Sequence, residues 1–297
     1  MTRGLALLAL LLLAAPARGQ PAAQDGDALS GTLRTARERG ALTIGYREFS
    51  FPFSYATPSG PRGYSIDLCL GIVAEVERTL GREIRPEYAL VSPASRVEAV
   101  ASGRVDLECG STTSNVERRR RVAFSPIIFV AGSKLMVCRD SGVQSYRDLA
   151  GKTVVVTAGT TNEAVVRALN QRNRLGARIV MGRDHGESYA LVADGRADAF
   201  ATDDVLLYGL VAQHQAADRL MVVGDFLSYE PYGIMYRRDD PAMAEAVDRA
   251  FATMARERDL IEYYHRWFER RTPNGETLGL PMSAQLAEVF RTLGVED

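Results

Sequence analysis

Two stretches of the chain gather hydrogen-bond donors at one point. The first is Val105 to Arg121, VDLECGSTTSNVERRRR, where a strand-like run ends in Gly110 and then Ser111, Thr112, Thr113, Ser114 and Asn115 lead into a helical turn. The second is Val154 to Glu163, VVVTAGTTNE, where a strand ending at Thr157 passes through Gly159, Thr160 and Thr161 into a helix. Free backbone N–H groups, hydroxyls and the positive end of a helix dipole suit a carboxylate or a phosphate. One such junction alone is ordinary capping by Ser and Thr. Two of them in similar strand-to-helix settings point to a bound anion.

Other chemistries find no support. The chain has no GxxxxGK[ST], GxGxxG, HExxH or GxSxG pattern. Its three histidines, His185, His214 and His265, lack metal-ligand spacing, so neither a metal nor a cofactor is expected. The run Arg118 to Arg121 reads as a solvated helix face, with at most one or two side chains turned into a cleft. Lys plus Arg number 36 against 37 for Asp plus Glu, and a net charge of -1 gives no reason to expect nucleic acid or a membrane surface as partner.

The elements that must position these residues alternate. Strands are expected at Leu42–Tyr46, Tyr88–Val91 and Val105–Cys109. Helices are expected at Ile66–Leu80, stopped by Gly81, and at Arg96–Ala101. The chain reads as extended over Val122–Val130, and the alternation Phe49, Phe51, Phe53, Tyr55 reads as a strand with one packed face. A second set repeats the rhythm: strands Lys134–Cys138, Thr153–Thr157, Ile179–Met181, Asp198–Ala201, Leu220–Val223 and Ile234–Tyr236, with helices Asn162–Asn170, Glu187–Ala193 and Asp204–Gln215 among them. Three helices, Ala242–Glu257, Leu260–Glu269 and Ala284–Leu293, close the chain. Alternation of this kind argues for α/β sheets, with ligand sites outside the carboxyl ends of the strands.

Residues 1–19 predict export. Arg3 precedes an uninterrupted apolar run from Leu5 to Ala15, and small residues follow at Ala15, Ala17 and Gly19. That is the pattern of a cleaved signal peptide, and the run is too short to span a bilayer. Residues 20–30 read as a disordered lead-in. The mature part keeps roughly 275 residues, enough for one large domain or two ordinary ones. The three cysteines, Cys69, Cys109 and Cys138, exclude a fully paired framework. Three buried apolar thiols are the favoured reading, and one disulfide is the alternative.

Several stretches are shared with a known family: GYRE at 45–48, GYSIDL at 63–68, ECGSTTSNVER at 108–118, AFSPIIFV at 123–130, VVVTAGTT at 154–161, DHGES at 184–188, GRADAFATDD at 195–204 and YGIMYRRDDP at 232–241. On these the chain resembles the polar amino acid family of periplasmic solute-binding proteins that serve ABC transporters, and within it the glutamate/aspartate-binding group. The resemblance implies a type II periplasmic-binding fold of two α/β lobes, each a mixed β-sheet flanked by helices, joined by two hinge crossovers. Lobe 1 would hold residues 31–131 and 232–297, and lobe 2 residues 132–231. It also implies a ligand set. Arg118 would grip the α-carboxylate with Ser111, Thr113 and Thr160. Asp203 would pair with the α-ammonium, with Thr157 beside it. Arg47 and Arg96 would hold the side-chain carboxylate, and His185 would add a donor. The group carries a hydroxyl residue just before the Arg96 position; Ser92 and Ser95 are the two candidates here.

The charges agree with that set. Two carboxylates and an ammonium need cations and one anion, and the planar fork of Arg suits a carboxylate. The implied function is capture of glutamate or aspartate by lobe closure and delivery to a membrane permease, by a periplasmic monomer without catalysis. The alternatives are another polar amino acid or dicarboxylate, a cyclohexadienyl-dehydratase-like enzyme with Glu108 as its acid, and a sensory module.

Overall fold

A computed structural model describes residues 29–295. The expected signal peptide, nearly all of the lead-in and the last two residues lie outside the described residues.

The first part of the chain runs α1 (Gly31–Arg39), β1 (Ala41–Tyr46), β2 (Phe49–Ser50), β3 (Ser54–Thr57), β4 (Gly60–Arg62), α2 (Tyr64–Leu80), β5 (Arg85–Leu90), α3 (Arg96–Ala101), β6 (Leu107–Glu108), α4 (Val116–Arg119), β7 (Val122–Phe124) and β8 (Phe129–Ala131). The middle follows with β9 (Ser133–Cys138), β10 (Thr153–Thr157), α5 (Thr161–Asn173), β11 (Arg178–Gly182), α6 (His185–Ala193), β12 (Ala199–Asp203), α7 (Asp204–Gln213) and β13 (Leu220–Val223). The last part is β14 (Glu230–Tyr232), β15 (Met235–Arg237), α8 (Pro241–Arg256), α9 (Asp259–Tyr264), a π-turn over His265–Glu269 and α10 (Ala284–Thr292).

Two five-stranded sheets result, in the orders β5-β1-β6-β15-β7 and β11-β10-β12-β9-β13. Each is mixed. β1 runs parallel to β5 and β6, whereas β15 is antiparallel to β6 and β7. β10 runs parallel to β11 and β12, whereas β9 is antiparallel to β12 and β13. The first sheet takes β15 from the far end of the chain, so its lobe is built from two separated stretches. The chain leaves it after β8 and returns through β14, and these two crossing strands pair antiparallel, Ala131 opposite Glu230 and Phe129 opposite Tyr232.

Period-two burial explains the second sheet. Met136, Val155 and Phe200 pack on one face with Val192 and Leu210, while Leu135, Val137, Val154, Val156 and Ala201 pack on the other. Alternate residues of a strand face opposite sides, so a sheet covered on both faces needs apolar residues at every position. In the first lobe α2 presents Ile66, Cys69, Ile72, Val73 and Val76 at helical spacing to α8, which offers Met243, Val247, Ala250 and Phe251 in the same core. Gly81, with φ 62°, ends α2 in the left-handed conformation that Gly adopts without a Cβ penalty.

Three expectations are corrected. Cys69 and Cys109 form a disulfide, and Cys138 alone is a free, half-buried thiol. Cys69 sits on α2 and Cys109 just past β6, and packing of that helix on the sheet brings them together. The run Phe49 to Tyr55 is not one strand: β2 and β3 pair antiparallel across a turn, Phe49 is exposed, and Phe51, Phe53 and Tyr55 are buried. The aromatics enter the core from a turn, with Phe53 in edge contact with Tyr64, Phe129 and Tyr232. The extended run at Val122–Val130 is broken into β7 and β8 around Pro126, which has no N–H to give a ladder.

The cross-link closes a sequence separation of 40 residues. Restriction of the unfolded chain by a loop of that size contributes up to about 4 kcal/mol. Replacing both Cys69 and Cys109 by Ala is expected to lower the unfolding free energy by about 2–4 kcal/mol in urea titrations.

Candidate functional site

The side chains in question stand at the carboxyl ends of the parallel strands. Arg47 follows β1, Glu108 ends β6, Thr157 ends β10 and Asp203 ends β12. Arg96 opens α3, Thr160 caps α5 and His185 opens α6. Both sheets turn these ends toward each other, where strand-to-helix loops leave backbone donors and side chains free. The lobes touch there. A Cβ on Gly159 would lie 2.6 Å from Ala94 Cα, so the close approach of the two loops needs glycine. Arg118 reaches across, its guanidinium donating to Thr113 C=O at 2.8 Å and to Gly159 C=O at 3.4 Å.

Six of the ten expected residues converge on one enclosed cavity of about 10 Å³, room for no more than a water molecule with the lobes placed as they are: Arg96, Ser111, Thr113, Thr160, His185 and Asp203. Thr161, Asn162 and Leu206 complete the wall. Arg118 lines the larger groove leading to it, beside Thr113 and Thr160. Arg47 and Thr157 are buried and outside the cavity wall, Thr157 in hydrogen-bond contact with the His185 ring. Ser92 is not brought in. It is exposed, and its hydroxyl and that of Ser95 close a turn on each other at 3.1 Å, so neither candidate hydroxyl faces the cavity.

Arg47 and Arg96 are each 2% exposed, and no ion pair among the described residues involves either of them or Arg118. Arg47 Nη1 and Arg96 Nε are buried without a hydrogen-bond partner. Burial, with Arg96 alongside, brings the Arg47 guanidinium down to about 9. Burial, with Arg96 again, brings Arg118 to about 10. Arg96 is lowered by burial and partly restored by Glu108. Glu108 itself is fully buried, with both carboxylate oxygens unpartnered. Such a group of cations, desolvated together, calls for an anion.

Asp203 forms the opposite pole. Tyr232 Oη donates to one of its oxygens, and Asn162 Nδ2 donates to the other at 2.7 Å. Burial, then the nearby Glu230, push its carboxyl up to about 7. A cation delivered to this point would be stabilised by the ionised form.

His185 belongs to a chain of hydroxyls. Ser188 Oγ donates to Asp184 C=O at 2.8 Å, and Thr157 Oγ1 lies 2.8 Å from Ser188 Oγ and 3.0 Å from His185 Nδ1. Each hydroxyl has one proton. Every contact holds a proton when Thr157 donates to Ser188 and His185 Nδ1–H donates to Thr157. Burial, then Arg47 and Arg96, hold the imidazole well below its ordinary 6.5, so the ring is neutral and the donor expected of it is taken by Thr157. Thr160 Oγ1 is similarly spent on Thr157 C=O at 2.7 Å.

Sequence reading missed Asn162, Leu206, Glu230 and Tyr232. Asn162 lies inside the second junction and could have been taken with it. Leu206, Glu230 and Tyr232 carry no local signal; the packing of α7 and the pairing of the crossing strands bring them to the site.

The His185 shift has a consequence for stability. Below about pH 6.5 the unfolded ring takes a proton that the folded ring refuses, so this group lowers stability as pH falls. His185→Asn, which preserves a partner for Thr157, is expected to flatten that acid-side slope in denaturation midpoints measured between pH 7 and pH 5. An unchanged slope would show the ring to be freely protonated.

Among the described residues there is no cluster able to hold a metal ion and no helix long and apolar enough to cross a membrane. The family model of the bacterial extracellular solute-binding proteins, family 3, matches residues 42–270. An L-glutamate/L-aspartate-binding protein of Pseudomonas aeruginosa is 40% identical over 268 residues, covering 89% of each chain. A glutamate/aspartate import solute-binding protein of Salmonella typhimurium is 34% identical over 290 residues, covering 97% of this chain and 95% of that one. Among solved structures, an ancestral amino acid-binding protein described as a precursor of cyclohexadienyl dehydratase matches with a TM-score of 0.67 and 27% identity, over 80% of this chain and 99% of that one. With two lobes, two crossing strands and a polar cavity between the strand ends, the chain belongs to family 3 of the bacterial extracellular solute-binding proteins.

Proposed function

We propose that this protein is the periplasmic binding component of an amino acid ABC importer, and that it captures L-glutamate or L-aspartate between its lobes. One observation carries the reading. Buried guanidiniums with unpartnered N–H groups, Arg47 and Arg96, stand beside a cavity that also holds the carboxylate Asp203. Cations for two carboxylates and an anion for one ammonium are the complement of an acidic amino acid. The relatives that bind or import glutamate and aspartate support the same ligand.

In this reading residues 31–131 with 232–297 form the lobe that first receives the ligand, and residues 132–231 form the lobe that closes on it. Arg118 and Ser111 take the α-carboxylate, helped by the first N–H groups of α5 beyond Thr160. Asp203 takes the α-ammonium. Arg47 and Arg96 take the side-chain carboxylate, with His185 and Thr157 shaping that end. Closure about the paired crossing strands is a hinge response to ligand. The loaded monomer then docks on its permease, after export by a signal peptide removed near residue 19. No chemistry is required of the protein. The dehydratase alternative would use Glu108 as the acid; that side chain is buried and outside the cavity lining, as Arg47 is, so turnover and not burial decides it.

Calorimetry with a panel of amino acids tests the reading. Heat is expected with glutamate or aspartate at micromolar or tighter affinity, about -8 kcal/mol. Heat with glutamine and none with either acid would overturn it, as would turnover of a prephenate-like acid. Arg47→Ala is expected to weaken the acidic ligand by about 3–5 kcal/mol, because a buried carboxylate loses its partner, and to affect glutamine far less.

A further inference from the structure

Glu230 lies on β14, in the second crossing strand, and is 3% exposed. Its Oε2 accepts from Thr113 Oγ1 at 2.7 Å and from Thr161 Oγ1 at 2.7 Å, and its Oε1 accepts from Ser228 Oγ at 2.6 Å. Thr113 comes from the loop after β6, in one lobe, and Thr161 from the first turn of α5, in the other. Both line the cavity.

The direction of these bonds matters more than their number. A hydroxyl has one proton and two lone pairs, and a carboxylate can only accept. Glu230 therefore takes the single proton of each threonine, and what Thr113 and Thr161 have left to offer is lone pairs. The neighbouring network leaves no freedom to reverse this. Ser228 gives its proton to Glu230, so Ser133, 2.6 Å away, must donate to Ser228; Asn162 Nδ2 donates to Ser133 at 2.6 Å and to Asp203 at 2.7 Å. With both acids ionised each proton has one place, and the chain ends on two carboxylates. Ser111 Oγ, also in the cavity wall, is by contrast buried and unpartnered, free to donate.

We infer that Glu230 sets the polarity of the cavity: by holding the hydroxyl protons of Thr113 and Thr161 it makes both side chains acceptors, which with Asp203 form the end that selects an ammonium. The inference rests on the proposal that the cavity takes an amino acid. It moves the Thr113 hydroxyl from the carboxylate end of the ligand, where the family resemblance puts it, to the ammonium end. Glu230 is a positioning residue in this scheme, acting through the two threonines. A neutral amide at the same place can donate, which releases a hydroxyl proton toward the cavity and turns an acceptor into a donor.

The test compares glutamate with glutarate, the same dicarboxylate without the ammonium, by calorimetry on wild type and Glu230→Gln. Wild type is expected to prefer glutamate, and Glu230→Gln to lose glutamate affinity by at least about tenfold while glutarate affinity holds or rises. An equal fall for both ligands, or no fall for either, overturns the inference. Should Glu230→Gln fail to fold, Thr113→Val and Thr113→Ser decide it. Thr113→Val is expected to lose glutamate and keep glutarate, and Thr113→Ser to restore the preference. Equal losses in Thr113→Val would mean that the hydroxyl donates to a carboxylate, contrary to the inference. Wild type that binds neither compound would overturn the amino acid proposal together with this one.

Discussion

The central constraint is the crowding of Arg47, Arg96 and Arg118 away from water. Burial makes their charges costly, and Arg96 lies close enough to Arg47 and to Arg118 to lower the proton affinity of both. None has a carboxylate within ion-pair distance among the described residues, and buried Glu108 offsets the repulsion from further off. A fold can hold such a group only when the backbone sites are rigid. Strand β1, the first turn of α3 and the short α4 supply them. The uncompensated charge is what makes carboxylates a complement to this group, since they relieve a cost the folded chain already bears.

The second organising feature is the pair of crossing strands. β8 and β14 join the lobes and also carry the polar network between them. Through Ser133, Ser228, Glu230 and Tyr232 that network reaches Asn162 and Asp203. Hydroxyls in a buried chain cannot choose their direction independently, because each has one proton to give. The donor or acceptor character of a cavity residue is therefore decided by partners behind it. Thr157 and Ser188 do this for His185, and Glu230 does it for Thr113 and Thr161.

Much of the architecture was legible because apolar spacing and backbone geometry coincide over a few turns. Thr153–Thr157, Arg96–Ala101 and Leu220–Val223 form at the residues where pattern alone puts them. The short pieces were harder. The ribbon from Phe49 to Arg62 alternates aromatics as one strand would, yet it is three short antiparallel strands whose first turn carries Phe51 and Phe53 into the core, and α1 lay in a stretch with little periodic signal. The disulfide was missed because its partners approach through packing of α2 on the first sheet, which the spacing of Cys69 and Cys109 does not encode. At the site, the two anion-ready junctions were visible as strand, glycine, hydroxyls and helix, and the structure brings both to one cavity.

What the sequence by itself determined is local: the alternating elements, the apolar faces, the Gly stops and the two donor-rich junctions, each set by steric and hydrogen-bonding rules within a few residues. Family likeness added the ligand class. The tertiary structure decided which charges meet, that Ser92 stays outside, that Cys69 finds Cys109, and which way Thr113, Thr157 and Thr161 point their protons. Those outcomes depend on groups distant in the chain, as Thr113 and Glu230 are at 117 residues apart. Solvent exclusion and proton count act on such groups only after folding has brought them together.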